Sequence, residues 1–281
     1  MNYEAFKTAV TAELTEYLPA EYRNWQVSVH EIVKVNGTRE ALHVMPPGGY
    51  GGSPTLYLDE LFDYYENCSN FAKTCQKAAA IFVIGMDYLS KIDICDAGDL
   101  PKDNIIFVLI PQRGNERLLA GVPHRLIMDL ALIYRVVLIS EQDGINSAIV
   151  TKEMAEELDL TEEDLYKLSI KNTPDMLPLD LRMSESGLFV LSNQLCISGA
   201  SALLYPGVLS DLAEDVDSDL FILPGSLNEV FIIPDVGQDV RELNRIVASA
   251  NEAILKEEDM LSDHAYYYHR ATDQICTPKW E

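Results

Sequence analysis

Two short segments carry the residue types from which a site could be built. In Leu223-Pro224-Gly225-Ser226-Leu227-Asn228-Glu229-Val230, a polar turn separates two apolar runs. Ser226, Asn228 and Glu229 can form a small hydrogen-bonding site on a rigid sheet edge. They equally suit a tight β-turn whose Ser and Asn satisfy the backbone. In Leu261-Ser262-Asp263-His264-Ala265-Tyr266-Tyr267-Tyr268-His269, the trio Ser262-Asp263-His264 has the residue types of a hydrolase triad. Consecutive residues do not normally converge in that geometry, so the match is read as fortuitous. The catalytic candidates are Glu229, Asp263 and Arg125; the binding candidates are Ser226, Asn228, Glu229, Ser262 and Asp263.

Other chemistries find no foothold. There is no Walker A loop, no Gly-x-Gly-x-x-Gly after a strand, no His-Glu-x-x-His and no Gly-x-Ser-x-Gly. The glycine-rich Gly48-Gly49-Tyr50-Gly51-Gly52 lacks a lysine and opens onto Ser53-Pro54, so it reads as a surface loop. His30, His43, His124, His264 and His269 share no metal-binding spacing with the cysteines, and neither a metal nor a cofactor is expected. Cys68, Cys75, Cys95, Cys196 and Cys276 are odd in number and scattered, which suits free buried thiols in a reducing cytosol.

The charge is the unusual total. Against 21 basic residues stand 45 acidic ones, a net −24, in a chain of 281 residues with an ordinary 48% hydrophobic content. Such a balance opposes direct binding to nucleic-acid phosphate or to an anionic membrane. No segment reads as a secretory leader, and the apolar stretches 78–86 and 127–139 are too short or too interrupted to span a bilayer. The acidity is uneven. Residues 211–263 hold fourteen acidic and three basic residues, a net −11. Residues 101–140 instead net +2 through Lys102, Arg113, Arg117, Arg125 and Arg135, an island that either grips an anion or pairs internally.

The elements that must position these residues follow from periodicity. Phe6, Val10, Leu14 and Tyr17 predict a helix ended by Pro19. Residues 25–33 alternate as a strand, Asn36-Gly37 supplies a hairpin turn and 41–45 return. Helices are predicted over 56–67 and 71–92. After a boundary at Asp96–Pro101, strands are predicted at 104–110 and 128–140, with a turn at Asp143-Gly144 and a return over 145–150. Helices follow at 152–158 and from Thr161 to before Pro174, then strands at 188–192, 200–204, 220–223 and 230–233. An amphipathic helix is predicted over 240–255 and a tyrosine-rich strand near 266. The fold class expected is α+β, with antiparallel or mixed sheets and helices on one face, in two regions, 1–98 and 99–281.

The chain also resembles a family of bacterial proteins of unknown function found in anaerobic Gram-positive genomes. The resemblance runs through the opening Met1-Asn2-Tyr3-Glu4-Ala5-Phe6, Ser53 to Leu58, Val122-Pro123-His124-Arg125 with Asp129-Leu130-Ala131, Asn172-Thr173-Pro174, Gly199-Ala200, Leu204 to Leu209, Leu223 to Val230 and Leu261-Ser262-Asp263. It implies a pattern Leu-Pro-Ser-Ser-x-His-Glu at the turn, from which this chain departs at Gly225 and Asn228. The function expected is a non-enzymatic cytoplasmic binding or regulatory protein whose acidic surface meets a basic protein partner, in its sharpest form a nucleic-acid mimic. The alternatives are a hydrolase or transferase with a carboxylate-based site around Glu229, and an oligomerising protein using the tyrosine-rich segment.

Overall fold

The Asn2 side chain accepts the Ala5 N–H at 2.9 Å and caps α1 (Tyr3–Tyr17), whose Phe6, Val10 and Leu14 are fully buried. The computed structural model describes residues 1–48, 53–91, 100–141, 144–185 and 187–278, and the chain divides into two units, Met1–Asp93 and Ile94–Glu281. Most of the glycine-rich loop, Cys95, Asp143 and the predicted boundary at 96–99 lie outside the described residues.

In the first unit, β1 (Gln26–Lys34) and β2 (Gly37–Met45) form an antiparallel hairpin, with Asn36 at a φ of 62° in its turn. The predicted helix over 56–67 begins two residues later. Leu56 and Tyr57 pair with β2 as β3, and α2 (Leu58–Cys68) follows, then α3 (Phe71–Lys91). Leu42 and Val44 share a core with the buried face of α1 and with Leu61, Ala78 and Phe82 of α2 and α3.

The second unit contains two antiparallel sheets. In the four-stranded one, the long β6 (Leu130–Glu141) pairs with β4 (Ile105–Pro111) on one side. On its other side it pairs with β5 (His124–Ile127) and β7 (Gly144–Ile149). Residues 128–140 are therefore not one uninterrupted strand. Met128, at a φ of 58°, and Asp129 make a tight turn between β5 and β6. The short α4 (Glu116–Gly121) precedes β5, and α5 (Lys152–Glu157) and α6 (Glu162–Met176) follow β7. The six-stranded sheet runs β13-β12-β10-β11-β9-β8, from β8 (Leu179–Met183), β9 (Phe189–Asn193), β10 (Leu220–Pro224), β11 (Val230–Pro234), β12 (Tyr266–His269) and β13 (Gln274–Cys276). Leu109, Leu132 and Tyr134 of the smaller sheet share one core with Leu191, Ile222, Val230, Tyr266 and Tyr268 of the larger. The far face of the larger sheet, Phe221, Leu223 and Tyr267, is covered by Leu243 and Val247 of α8 (Val240–Ile254). The fold class is α+β.

Two local expectations are corrected here. Residues Gly199–Leu204 form a 3-10 helix rather than a strand, because Ser198 adopts a φ of 49° and Ser201 N–H closes back on its carbonyl at 3.0 Å. Helix α6 runs through Pro174 in its last turn; the proline removes one N–H bond, but the helix still closes beyond it, the Leu177 N–H donating to the Thr173 carbonyl at 2.8 Å. Both segments serve the edge of β4 that has no neighbouring strand. Thr173 Oγ1 accepts the Phe107 N–H at 3.0 Å, Ser201 Oγ accepts the Leu109 N–H at 2.9 Å, and Asn172 Nδ2 donates to the Ile105 carbonyl at 3.1 Å. These groups replace the neighbouring strand that β4 lacks. The short α7 (Val208–Asp215) then leads into β10. Among the described residues, no helix is long and apolar enough to cross a membrane.

Candidate functional site

The turn between β10 and β11 is built almost entirely from its own polar groups. Gly225 and Ser226 N–H groups both donate to the Glu229 carbonyl, at 3.1 and 2.9 Å. Ser226 Oγ accepts the Asn228 N–H at 3.0 Å, and Asn228 Oδ1 accepts the Ser198 N–H at 2.9 Å. The Asn228 carbonyl accepts from Ser192 Oγ at 2.7 Å. A side chain at Gly199 would collide with that Ser192 Oγ and that carbonyl, so only glycine lets the 3-10 helix approach the turn. Ser226 thus closes the turn on itself, and Asn228 joins it to the backbone of Ser198. Glu229 differs: among the described residues its carboxylate has no hydrogen bond or ion pair.

Ser262 and Asp263 meet at His264. Its Nδ1 faces Ser262 Oγ at 3.2 Å and Asp263 Oδ1 at 3.0 Å. Its buried Nε2 makes no hydrogen bond and lies 3.8 Å from Asp129 Oδ1, which accepts the Tyr266 O–H at 2.8 Å. Burial pushes the Tyr266 phenol far above its ordinary value, and the Asp129 charge adds to this while Ser262 opposes it. A hydrolase triad needs its acid and its serine on opposite imidazole nitrogens. Here both lie on Nδ1, so the three neighbours form a clamp on the ring and not a relay. Helix α8 holds the segment in place: Asn251 Nδ2 donates to the Ser262 carbonyl at 2.8 Å, and Asn244 Oδ1 accepts the Ala265 N–H at 2.8 Å.

Arg125 is committed elsewhere. Its Nε and Nη2 donate to the two Glu162 oxygens at 3.1 and 2.9 Å, Nη2 reaches Glu163 at 2.7 Å, and the guanidinium lies 3.8 Å from the Tyr166 ring centroid. The first turn of α6 that supplies both carboxylates is fixed by a capping box between Thr161 and Asp164. Tyr134 also donates to Glu162. Burial raises the Glu162 pKa, but the hydrogen bonds from Arg125 and Tyr134 outweigh it and hold the carboxyl below its ordinary range. No hydrogen bond or ion pair links Arg125, Glu229 and Asp263 to one another. Elsewhere in the basic island, Lys102 Nζ donates to the Leu158 carbonyl at 2.6 Å, and Arg135 is held by Ser147.

The acidic segment faces solvent. Of the fourteen Asp and Glu residues in 211–263, ten are exposed. Arg270 pairs with Asp217 at 2.6 Å, and Tyr267 donates its hydroxyl to Asp219 and Asp235. Among the described residues, no group of three or more His, Cys, Asp or Glu is arranged to hold a metal ion. The described cysteines are free, but Cys196 is exposed rather than buried; Cys75 is buried, which pushes its thiol up to about 11. Sequence reasoning did not place Asp129 among the site candidates, although it interrupts an apolar run and lies in one of the segments that carry the family resemblance.

The model of the family of unknown function DUF5688 matches residues 3–186 and 181–270, and the chain belongs to that family. No curated protein and no solved structure matches it.

Proposed function

We propose that this DUF5688 member is a non-enzymatic cytosolic binding protein that presents the acidic surface of residues 211–263 to a basic protein partner. The observation that supports this reading is the exposure of ten of the fourteen carboxylates in that segment, opposed by three basic residues. The exposed acids of α7 and its ends, Asp211, Glu214, Asp215 and Asp217, form its densest run, in which Asp217 pairs with Arg270. Exposed carboxylates at that density speed association with a cationic surface and make it sensitive to salt. In its sharper form the surface imitates a phosphate backbone and occupies a nucleic-acid-handling protein.

The test is capture from lysate with the full chain at low and high salt, alongside a triple variant Asp211→Asn, Glu214→Gln, Asp215→Asn. Capture of a basic protein that falls with salt and with the triple variant supports the reading, and competition by DNA or RNA supports the mimic. Capture that ignores both charge changes, or no capture at either salt, sinks it. One observation favours the second reading, a hydrolase or transferase: the Glu229 carboxylate has no partner among the described residues. A turnover lost in Glu229→Gln, with the fold intact, would favour that alternative.

A further inference from the structure

On the far face of the six-stranded sheet, Ile233, Phe221, Tyr267 and Cys276 lie side by side across β11, β10, β12 and β13. A helix about 10 Å across covers roughly two strands at a spacing of about 4.8 Å, so α8 cannot close over all four. Leu243 and Val247 seal Phe221, which is 3% exposed, whereas Tyr267 and Cys276 further along the row stay half-buried. At this end of the row is a groove of about 590 Å³, lined also by Val240, in the first turn of α8, and by Pro278, past β13. The Tyr267 ring stands edge-to-face with Phe221 at 4.8 Å and with His269 at 4.6 Å. His269 and Thr277, which line the groove as well, are exposed, so its apolar wall faces water.

The surroundings are anionic. The Tyr267 hydroxyl donates to Asp235 and, at 3.1 Å, to Asp219. Asp219 also accepts the Arg270 backbone N–H at 2.8 Å, and Asp235 accepts the Gly237 N–H at 2.9 Å. These hydroxyl and backbone donors are neutral, so they orient the two carboxylates without cancelling their charge. The Arg270 N–H, followed by the Tyr267 hydroxyl and His269, outweighs burial and holds the Asp219 carboxyl below its ordinary range. Among the described residues of these segments, Asp217, Asp219, Asp235, Asp239 and Glu242 stand against Arg241 and Arg270, five acidic minus two basic, a net −3 with His269 neutral. Arg270 is itself paired with Asp217.

We propose that this groove holds the basic partner by one aromatic side chain, with lysine or arginine residues on either side of that ring drawn to Asp219 and Asp235. The inference rests on the acidic-surface reading above and deepens it by naming the contact that retains the partner. Exposed ion pairs contribute little one by one, so carboxylates alone steer an encounter without prolonging it. Residence comes from an apolar side chain buried in a pocket with a polar rim, where tryptophan and tyrosine predominate. The wall of Tyr267, Val240 and Pro278 suits such a ring, and the exposed His269 and Thr277 leave room for one projecting from another protein's surface. The surrounding charge selects a basic segment over an acidic one.

The experiment is titration calorimetry of the full chain with end-capped pentapeptides: Lys-Arg-Trp-Arg-Lys, its counterpart Lys-Arg-Ala-Arg-Lys, and the acidic Glu-Glu-Trp-Glu-Glu. The basic tryptophan peptide binds saturably, and at least about tenfold more tightly than either of the others. Thr277→Trp, which fills the groove from an exposed position, brings the tryptophan peptide down to the level of the alanine one. Equal affinity for the two basic peptides, both weakened by salt, overturns the groove and leaves the acidic surface standing. An acidic peptide that binds as tightly as the basic one also overturns it. So does the absence of binding by either basic peptide at about 10 mM, and the acidic-surface reading falls with it only where lysate capture fails at both salts. Self-association of the full chain in sedimentation, removed by Thr277→Trp, would assign the groove to a second copy and overturn the proposal. Should Thr277→Trp fail to fold, the comparison of the three peptides on the unaltered chain decides it.

Discussion

The Thr173 hydroxyl accepts the backbone N–H of Phe107 at 3.0 Å while donating its own proton to the Ser169 carbonyl at 2.6 Å. One side chain thereby satisfies an edge strand and stays anchored to its own helix. Thr173→Val keeps the shape and removes both bonds, leaving the Phe107 N–H buried without a partner. The expected loss is about 1–3 kcal/mol in urea unfolding. Thr173→Ser, which keeps the hydroxyl, should retain most of the stability.

Gly199 makes a sharper steric prediction. Its Cα lies where a methyl group would meet the Asn228 carbonyl and Ser192 Oγ, and a backbone oxygen cannot swing aside as a flexible side chain can. Gly199→Ala should therefore destabilise by about 1–3 kcal/mol, with the 195–198 loop and the turn displaced. Gly121→Ala, where nothing lies within 4 Å of the added carbon, serves as the control and should be close to neutral in the same unfolding measurement.

Acid should loosen the second unit through Glu162. Its folded pKa is depressed, since the hydrogen bonds from Arg125 and Tyr134 outweigh the opposing burial. A depressed carboxylate contributes its full stability above the unfolded value of about 4.5 and loses it as pH falls through the folded value. Glu162→Gln should cost about 1–2 kcal/mol at neutral pH and flatten the decline below pH 4.5. Unfolding free energies measured from pH 3 to 7 check both effects; an unchanged acid limb in the variant contradicts the assignment.

The first unit carries a second pH response, set higher. The His43 ring stacks on His30 at a centroid distance of 4.8 Å, and its Nε2 is buried without a hydrogen bond. Burial first, and the His30 charge second, lower its pKa below the ordinary 6.5. The unfolded chain thus binds a proton more readily than the folded one near pH 6, so stability from this residue is present above 6.5 and is lost as pH falls. His43→Leu should remove that slope between pH 5 and 7, read by denaturant titration of the full chain, and leave stability at pH 7.5 little changed.

Legibility followed the range over which each feature is encoded. Helices α1 and α8 were readable because Phe6, Val10 and Leu14, and likewise Leu243 and Val247, mark one face by spacing alone. The β1–β2 hairpin was readable at Asn36-Gly37, and the packed face of the tyrosine run emerged from its alternation. Gly199-Ala200-Ser201-Ala202 offered no such signal. Four small residues fit strand or 3-10 helix alike, and contacts with β4 and the distant turn decide between them. The candidate residues were found as types but not as partners. Asp129 reaches Tyr266 across 137 positions, and Arg125 meets Glu162 across 37.

The groups that satisfy the outer side of β4 arrive late in the chain: Thr173 lies 66 positions beyond Phe107, and Ser201 lies 92 beyond Leu109. During synthesis, β4, β5, β6 and β7 can pair locally while the N–H groups of β4 still point into water. Contacts of such long separation form slowly, because loop closure must be met before they contribute. Until α6 and the 3-10 helix dock, β4 is a template for a second nascent chain, and its unbroken apolar sequence Ile105-Ile106-Phe107-Val108-Leu109-Ile110 makes that encounter adhesive. Slow steps in docking, more than weakness in the finished fold, would then set how much of the protein a cell recovers intact.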